Sequence, residues 1–395
     1  MTTQEGPNLN SNGAPFLSTI RHLRLLLSGM MARVLGSRFR FVVPAATVLI
    51  WKLMVAVYLV ARFGGFHAFA TPQMRGAGIG IGDPFYLFVG LDSYHYMQIA
   101  QSGYTDLQSF AYFPGYPAVI RLFYLITNDI YLSAAIPAFV FGILFVPVFQ
   151  SVAEKYMDRE SSIRCTLVAS FFPMVFFFTS IAYSESLFVF LSLLFWFEYL
   201  NHRIARANVV LAAVSLTRPF GVLLAVPLII ELILKRQLRD LAYLAIPFFA
   251  ILGWLVYGLV STGYWLAFRV AEVSFWNEAS WFTGWAIPFL GGEAPRAFGF
   301  SGLASFAVVI SGYLVYLTLQ EDWRLGTLSF VMYASIILFA GTPDFSYMRY
   351  FSFIFPIWLL AGKVKPWGLV AIYCVFMSLS SMITWYAFAS GLWVG

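Results

Sequence analysis

The sequence predicts an all-α polytopic membrane protein, and three observations point to that class. Of its 395 residues, 61% are hydrophobic and only 11% are charged, whereas a soluble protein of this size carries about 25% charged residues. Apolar runs recur along nearly the whole chain and confine the charges to short gaps, which is typical of membrane-spanning helices. The runs do not alternate apolar with polar residues, which argues against a β-barrel.

The chain divides into a basic N-terminal segment and one transmembrane domain. Residues 1 to about 16 are polar, and basic residues follow around Leu-rich turns up to residue 40. This arrangement predicts a cytoplasmic segment, 1–40, whose second half is an amphipathic helix on the membrane surface. Residues 41–395 form the predicted transmembrane domain.

Eleven apolar segments follow one another in that domain, and they predict about 11 passes. The predicted spans are 41–61, 130–150, 165–182, 186–200, 209–217, 222–234, 242–260, 301–319, 325–341, 351–362 and 368–389. Several are shorter than the roughly 20 residues of a full crossing. Short pieces of this kind indicate broken helices around an internal cavity.

The basic residues predict the orientation of the chain. With the N-terminus in the cytoplasm, most of the 24 Lys and Arg residues fall on the cytoplasmic side, as the positive-inside rule requires. They form no dense basic face, so no nucleic-acid partner is predicted for the net charge of +6. The scheme places two long loops outside, 62–129 and 261–300.

The first external loop contains the acids expected to do chemistry. Asp83, Asp92 and His95 lie there among many aromatic residues, including Tyr96 and Tyr112. A helix cap is the plain alternative for Asp92, because Ser93 follows it. A carboxylate packed among aromatic groups is also well placed as a general base. The stretch DSYHYMQIA predicts a short helix with its apolar residues toward lipid.

Four further polar residues interrupt apolar segments. Tyr183 and Glu185 lie between two predicted spans, Arg218 stands in LTRPFG, and Arg349 stands near the start of a late span. Charged groups at such depth are usually functional or paired, and arginine matches the oxygens of a phosphate. The alternatives are a Glu185–Arg218 salt bridge and, for Arg349, extension toward the membrane interface.

No cofactor is predicted. Neither cysteine stands in a CxxC pair, and no metal-ligand spacing occurs. We therefore predict no tightly bound metal, with participation of a divalent cation as the alternative.

Five sequence elements, in this order, resemble the PIG-V family, the GPI mannosyltransferase II type, and its prokaryotic relatives. The elements are LDS at 91–93, IAQSGY at 99–104, AYFPGYP at 111–117, YSESLF at 183–188 and TRPFG at 217–221. The resemblance covers about residues 83 to 234. It implies a GT-C glycosyltransferase fold, with short juxtamembrane helices in the large first external loop, and an extracytoplasmic active site.

The resemblance also implies roles for individual residues. Asp92 matches the family's acidic residue in the first external loop, and Arg218 matches the arginine of its R.NG element. Together with the chemistry of the residues, these matches predict an inverting mannosyltransferase in the cell membrane of a prokaryote, with Asp92 as the base. One of Arg218 and Arg349, or both, would bind the phosphate of a polyprenyl-phosphate-mannose donor, although Arg349 lies beyond the region of resemblance. The chain departs from the family at Tyr112, where Phe is frequent, and after Arg218.

The remaining predicted contacts and the alternatives complete the hypothesis. Substrate-binding positions are predicted at His95, Tyr96, Tyr112, Tyr183, Glu185 and Asp83. The predicted partners are the lipid-linked sugar donor, a glycolipid or glycan acceptor, and membrane lipid. The alternatives are a GT-C transferase for another lipid-linked sugar, a lipid or solute transporter, and a structural subunit that keeps the fold without chemistry.

Overall fold

The computed structural model describes residues 38–63, 88–90, 92–276, 298–339 and 346–389. Every regular element in these ranges is a helix. The α-helices are α1 Val42–Phe63, α2 Ser93–Ser102, α3 Gly115–Thr127, α4 Ile130–Ala153, α5 Arg159–Phe171, α6 Pro173–Phe178, α7 Ser184–Leu200, α8 Ile204–Ser215, α9 Ala225–Leu234, α10 Ala245–Thr262, α11 Ala267–Trp276, α12 Phe298–Glu321, α13 Trp323–Phe339, α14 Ser346–Ser352, α15 Pro356–Leu359 and α16 Trp367–Ala389. Short 3-10 helices extend or link several of them, at Arg38–Arg40, Gln108–Ala111, Pro219–Leu224, Leu238–Leu244 and Leu360–Lys363.

Four helical stretches of the described chain are long and apolar enough to cross a membrane. They are Val42–Ala61, Ile130–Ala153, Leu238–Thr262 and Trp367–Phe388. Most residues of three of these stretches are not buried inside the protein, and large apolar side chains such as Ile50, Phe248 and Ile372 are exposed. Apolar surface of this extent belongs in lipid. The chain is therefore a helical, membrane-embedded protein, and the predicted class is confirmed at that level.

Two predicted spans are divided rather than continuous. The predicted span 165–182 divides between α5 and α6, where Phe172 is extended before Pro173. A residue that precedes proline is pushed out of the helical conformation. The predicted span 351–362 is wrong as one helix, because α14 ends at Ser352 and α15 begins with Pro356.

Helix α7 packs mainly against α4 and α8. Its buried side chains include Phe195 and Trp196, and they belong to the main hydrophobic core. A second, smaller core lies under α2 and α3 and includes Tyr96, Tyr116 and Leu187. The N-terminal end of α7 therefore lies where the two cores meet.

The described part of the predicted first loop does contain short helices. Helices α2 and α3 occupy it and pack on each other. Met97 and Ile99 of α2 are buried in the second core, so the prediction that they face lipid is wrong. Residues 1–37, Asp83 and part of each long loop lie outside the described residues, and the predictions made for them stay predictions.

Candidate active site

Four segments that are distant in sequence bring four charged residues together. Asp92 precedes α2, Glu185 lies in the first turn of α7, Arg218 precedes the 3-10 helix Pro219–Leu224, and Arg349 lies on α14. Helix breaks place each of them at the end of an element or on a short one, so their side chains can converge. We call this set the charged cluster.

Glu185 is the centre of the charged cluster. Its residue is 1% exposed, and Oε1 lies 2.5 Å from Arg218 Nη1 and 3.4 Å from Arg349 Nε. Neither carboxylate oxygen makes a hydrogen bond within the described part of the chain, so both contacts are ion pairs. The buried Glu185 carboxylate therefore lies against two guanidinium groups. Loss of one partner from such a buried ion pair destabilises the fold, because a charge is left unpaired.

Asp92 lies at the edge of the charged cluster, and its side chain is 23% exposed. Its Oδ2 is 4.0 Å from Arg349 Nη1, and Tyr112 donates a hydrogen bond to Oδ1 over 3.4 Å. The Asp92 amide donates to the Tyr183 hydroxyl over 3.1 Å. Asp92 occupies the N-cap position of α2, but its carboxyl makes no capping hydrogen bond. The capping alternative is therefore wrong, and the carboxyl faces the arginines instead.

Burial shifts the pKa values of the Asp92 carboxyl and the His95 imidazole in opposite directions. Removal from water raises the pKa of the Asp92 carboxyl above its ordinary value, and the nearby Arg349 guanidinium opposes this rise. Burial lowers the pKa of the His95 imidazole, with Asp92 acting in the opposite direction. A carboxyl with a raised pKa is a stronger base once it is ionised, which suits general-base chemistry.

Aromatic side chains and one serine hold the charged cluster in place. The His95 and Tyr112 rings stack with centroids 4.7 Å apart, and Tyr96 meets Tyr112 edge to face at 5.1 Å. Ser184 Oγ accepts hydrogen bonds from Tyr96, over 3.0 Å, and from Arg218, over 3.2 Å. The loop that carries Asp92 is thereby tied to the start of α7.

The guanidinium of Arg349 is packed among rings. It lies 5.0 Å from the ring centroid of Phe178 and 4.8 Å from that of Tyr350, and it donates to the Tyr350 hydroxyl over 3.0 Å. Arg349 is only 5% exposed, so the alternative that it extends to the membrane interface is wrong. The internal salt bridge between Glu185 and Arg218 is confirmed. A phosphate ligand would therefore join paired arginines, and the phosphate-binding role stays a prediction.

The glycine of AYFPGYP fixes the loop against the Arg218 segment. The Gly115 amide donates to the Leu216 carbonyl over 2.7 Å. A Cβ at Gly115 would lie 2.7 Å from Thr217 Oγ1 and 2.9 Å from the Leu216 carbonyl oxygen. Only glycine allows this approach, which brings Arg218 next to the loop that carries Asp92.

We expect Gly115→Ala to lower the free energy of unfolding by about 1–3 kcal/mol, because the added methyl group overlaps backbone atoms. Thermal unfolding of the purified protein in detergent measures the change. Gly253→Ala is the matched control, since a Cβ at Gly253 meets no atom within 4 Å and alanine favours a helix. Equal stability of the two variants would contradict the role given to Gly115.

Three contributors escaped the sequence analysis. Ser184, which joins Tyr96 to Arg218, lies between two predicted residues in YSES and gave no separate signal. Tyr350 follows Arg349 directly, and its ring also lies 5.7 Å from the Arg218 guanidinium. Lys52 lies inside the first predicted span and was given no role, although a lone lysine in an apolar run is itself a signal.

No group of three or more His, Cys, Asp or Glu side chains in the described ranges is placed to hold a metal ion. The charged cluster offers two carboxylates, but its two arginines already balance their charge. The absence of a tightly bound metal stays a prediction made from the sequence. The chain matches no family model, no curated protein and no solved structure.

Proposed function

We propose that the protein is a GT-C-type membrane glycosyltransferase with about 11 passes. It transfers mannose from a polyprenyl-phosphate-mannose donor to a lipid- or protein-linked acceptor on the extracytoplasmic face of the cell membrane. The observation that carries the proposal is the approach of Asp92 to Arg349, 4.0 Å apart, beside a buried carboxylate that holds both arginines. The proposed base, Asp92, is thus adjacent to a cation that can bind phosphate, Arg349, and the Asp92 carboxyl is partly exposed.

The chemistry is a single displacement at the anomeric carbon. Asp92 accepts the proton of the acceptor hydroxyl, whose oxygen forms the new bond to the sugar. The bond between the sugar and the phosphate oxygen breaks, and polyprenyl phosphate leaves with the electron pair. Attack from the face opposite the leaving group inverts the anomeric configuration, as in inverting glycosidases.

The charges of the cluster fit this displacement. Two carboxylates face two guanidinium groups before reaction. During the step, Asp92 loses its negative charge to the acceptor proton while the departing phosphate gains one. Arg349 lies beside Asp92. Once Asp92 has taken up the proton, the positive charge of Arg349 can therefore stabilise the departing phosphate. Preorganised cations that act where charge develops are a major source of catalysis.

The location of the cluster suits a lipid-linked substrate. Each buried CH₂ of a prenyl chain is worth about 0.8 kcal/mol, so the chain stays in the bilayer during the reaction. The charged cluster lies within a bundle whose outer helices expose large apolar side chains. A donor would keep its tail in lipid while its phosphate approaches the edge of the cluster, where the side chains of Arg218 and Asp92 are 16% and 23% exposed.

We expect the acid limb of the pH profile of kcat/KM to lie above the ordinary aspartate range. The base acts only when it is ionised, so activity is present above the pKa of Asp92 and is lost as the pH falls through it. Burial raises that pKa, and the limb reports the free enzyme. An acid limb at the ordinary aspartate value, or one that is unchanged in Asp92→Glu, would contradict the assignment.

The test of the proposal is incubation of the purified protein in detergent with radiolabelled polyprenyl-phosphate mannose. We expect labelled mannose to move to a glycolipid acceptor or, without one, to appear slowly in water. A nucleotide-linked mannose in the same assay is the control donor. Transfer from the nucleotide sugar, with none from the lipid-linked one, would overturn the donor assignment.

A further inference from the structure

The middle of α1 contains a buried lysine that the proposed chemistry does not use. Lys52 is 2% exposed, and none of the ion pairs found among the described residues includes it. A buried charge without a carboxylate partner is costly. Other interactions must therefore hold this ammonium in place.

Three oxygen atoms surround the ammonium, and they match its three hydrogen atoms. Lys52 Nζ donates to the Thr179 carbonyl over 2.6 Å, to Thr179 Oγ1 over 2.8 Å and to Ser180 Oγ over 2.8 Å. Each hydroxyl gives its own hydrogen to a carbonyl of the preceding helix turn. Their lone pairs are therefore left for Lys52, and the ammonium is fully satisfied.

The segment that Lys52 holds leads directly to the charged cluster. Thr179 and Ser180 directly follow α6, and α7 begins at Ser184, one residue before Glu185. The short connection is further fixed by the Tyr183 amide, which donates to the Ile181 carbonyl over 2.7 Å. Tyr183 then accepts the hydrogen bond from the Asp92 amide. Lys52 is thus joined to the proposed base through one short chain segment.

A glycine on the neighbouring helix α4 makes room for this contact. A Cβ at Gly142 would lie 1.9 Å from the Thr179 carbonyl oxygen and 3.1 Å from Lys52 Nζ. No side chain larger than hydrogen fits without moving the Thr179 carbonyl. Two helices therefore form this contact: α1 provides Lys52, and α4 provides Gly142, which leaves space for the Thr179 carbonyl.

We propose that Lys52 is a positioning residue for the transfer reaction, which fixes the 179–185 turn so that Tyr183 and Glu185 meet Asp92 and the arginines. This inference rests on the proposed function. It assigns a task to a buried charge that contacts neither the donor phosphate nor the reacting atoms. It also explains why an apolar residue of similar length, such as methionine, would not replace it.

The kinetic test compares Lys52→Met with wild type in the mannose-transfer assay. We expect kcat to fall about 10- to 100-fold, as small displacements of catalytic groups produce, with KM for the donor unchanged. The double variant Thr179→Val/Ser180→Ala removes two acceptors and should give a similar loss. Combining it with Lys52→Met should lower kcat no further, because all three substitutions disrupt the same contact between Lys52 and residues 179 and 180.

Hydrogen exchange provides a second measurement that needs no activity. In Lys52→Met, we expect faster exchange of the amides from 179 to 186 and of the Asp92 amide, which is bonded to Tyr183. Arg164→Met is the matched control, because Arg164 is another buried cation, held on α5 by Glu160 and Ser161. That control should leave these amides unchanged.

Each result decides one of the two proposals. An unchanged kcat in Lys52→Met, or a change in KM alone, would overturn the positioning role. Exchange at the Asp92 amide that equals wild type would also overturn it, whether or not the wild type transfers mannose. Absence of transfer by the wild type with faster exchange in Lys52→Met would refute the proposed function and still support the structural part of the inference.

Discussion

Asp92→Asn is expected to fold normally and to transfer mannose about 10²–10⁴-fold more slowly than wild type, which is the usual cost of losing a positioned base. Asparagine keeps the size of the side chain and can still accept the hydrogen bond from Tyr112. It cannot take the proton of the acceptor hydroxyl. The loss should therefore appear in kcat, measured with saturating lipid-linked donor.

Asp106→Asn is the matched control for this change. Asp106 lies in the same loop, and its carboxyl accepts a hydrogen bond from the Ser109 amide over 2.8 Å. Because the asparagine oxygen can accept the same bond, we expect its activity to equal that of wild type. Full activity of Asp92→Asn would show that Asp92 is not the general base.

Glu185→Gln is expected to destabilise the protein by about 3–5 kcal/mol, the range measured when one partner of a buried ion pair is removed. Glu185 is the buried anion next to both Arg218 and Arg349. Its neutralisation leaves two adjacent guanidinium groups with one carboxylate, Asp92, at 4.0 Å from the nearer of them. Unfolding in mixed micelles, followed by helix content, measures the loss.

Glu198→Gln provides the comparison on the same helix. Glu198 pairs with Arg203 over 3.3 Å, and the Arg203 side chain is exposed. Exposed ion pairs contribute about 0–1 kcal/mol, so this variant should unfold close to wild type. Equal destabilisation of the two variants would show that the Glu185 pairs are no stronger than a surface ion pair.

The helical membrane class and the four residues of the charged cluster could be predicted from the sequence because each has a local signal. Hydrophobic runs identify membrane helices, and Arg218 and Glu185 are conspicuous as charges between apolar segments. The salt bridge between them was predicted as an alternative and is present. The short helices of the first loop were also expected, and they follow from its aromatic and polar mixture.

What could not be predicted depends on contacts between distant segments. The sequence predicts Asp92 and both arginines at one site, but not which arginine lies next to Asp92, since more than 250 positions separate Asp92 from Arg349. Met97 and Ile99 look lipid-facing from their own helix, but the second core covers them. Lys52 stands out as a lone charge in a span, but its partners Thr179 and Ser180 are distant in the sequence and could not be predicted.

The division of 165–182 and 351–362 shows a different kind of limit. Proline marks both breaks, at Pro173 and Pro356, so the local cause was visible in the sequence. Apolar composition alone does not separate one long helix from two short ones. At the second break this matters for the site, because Arg349 lies on the short helix that precedes it.

The most direct test of the account is a structure of the protein with a polyprenyl-phosphate ligand bound. We expect the phosphate oxygens to lie about 3 Å from guanidinium nitrogens of Arg349 or Arg218, the usual length of such hydrogen bonds. The Asp92 carboxyl should face the position that the anomeric carbon occupies in the donor. A phosphate bound away from both arginines, with the charged cluster unchanged, would contradict the account.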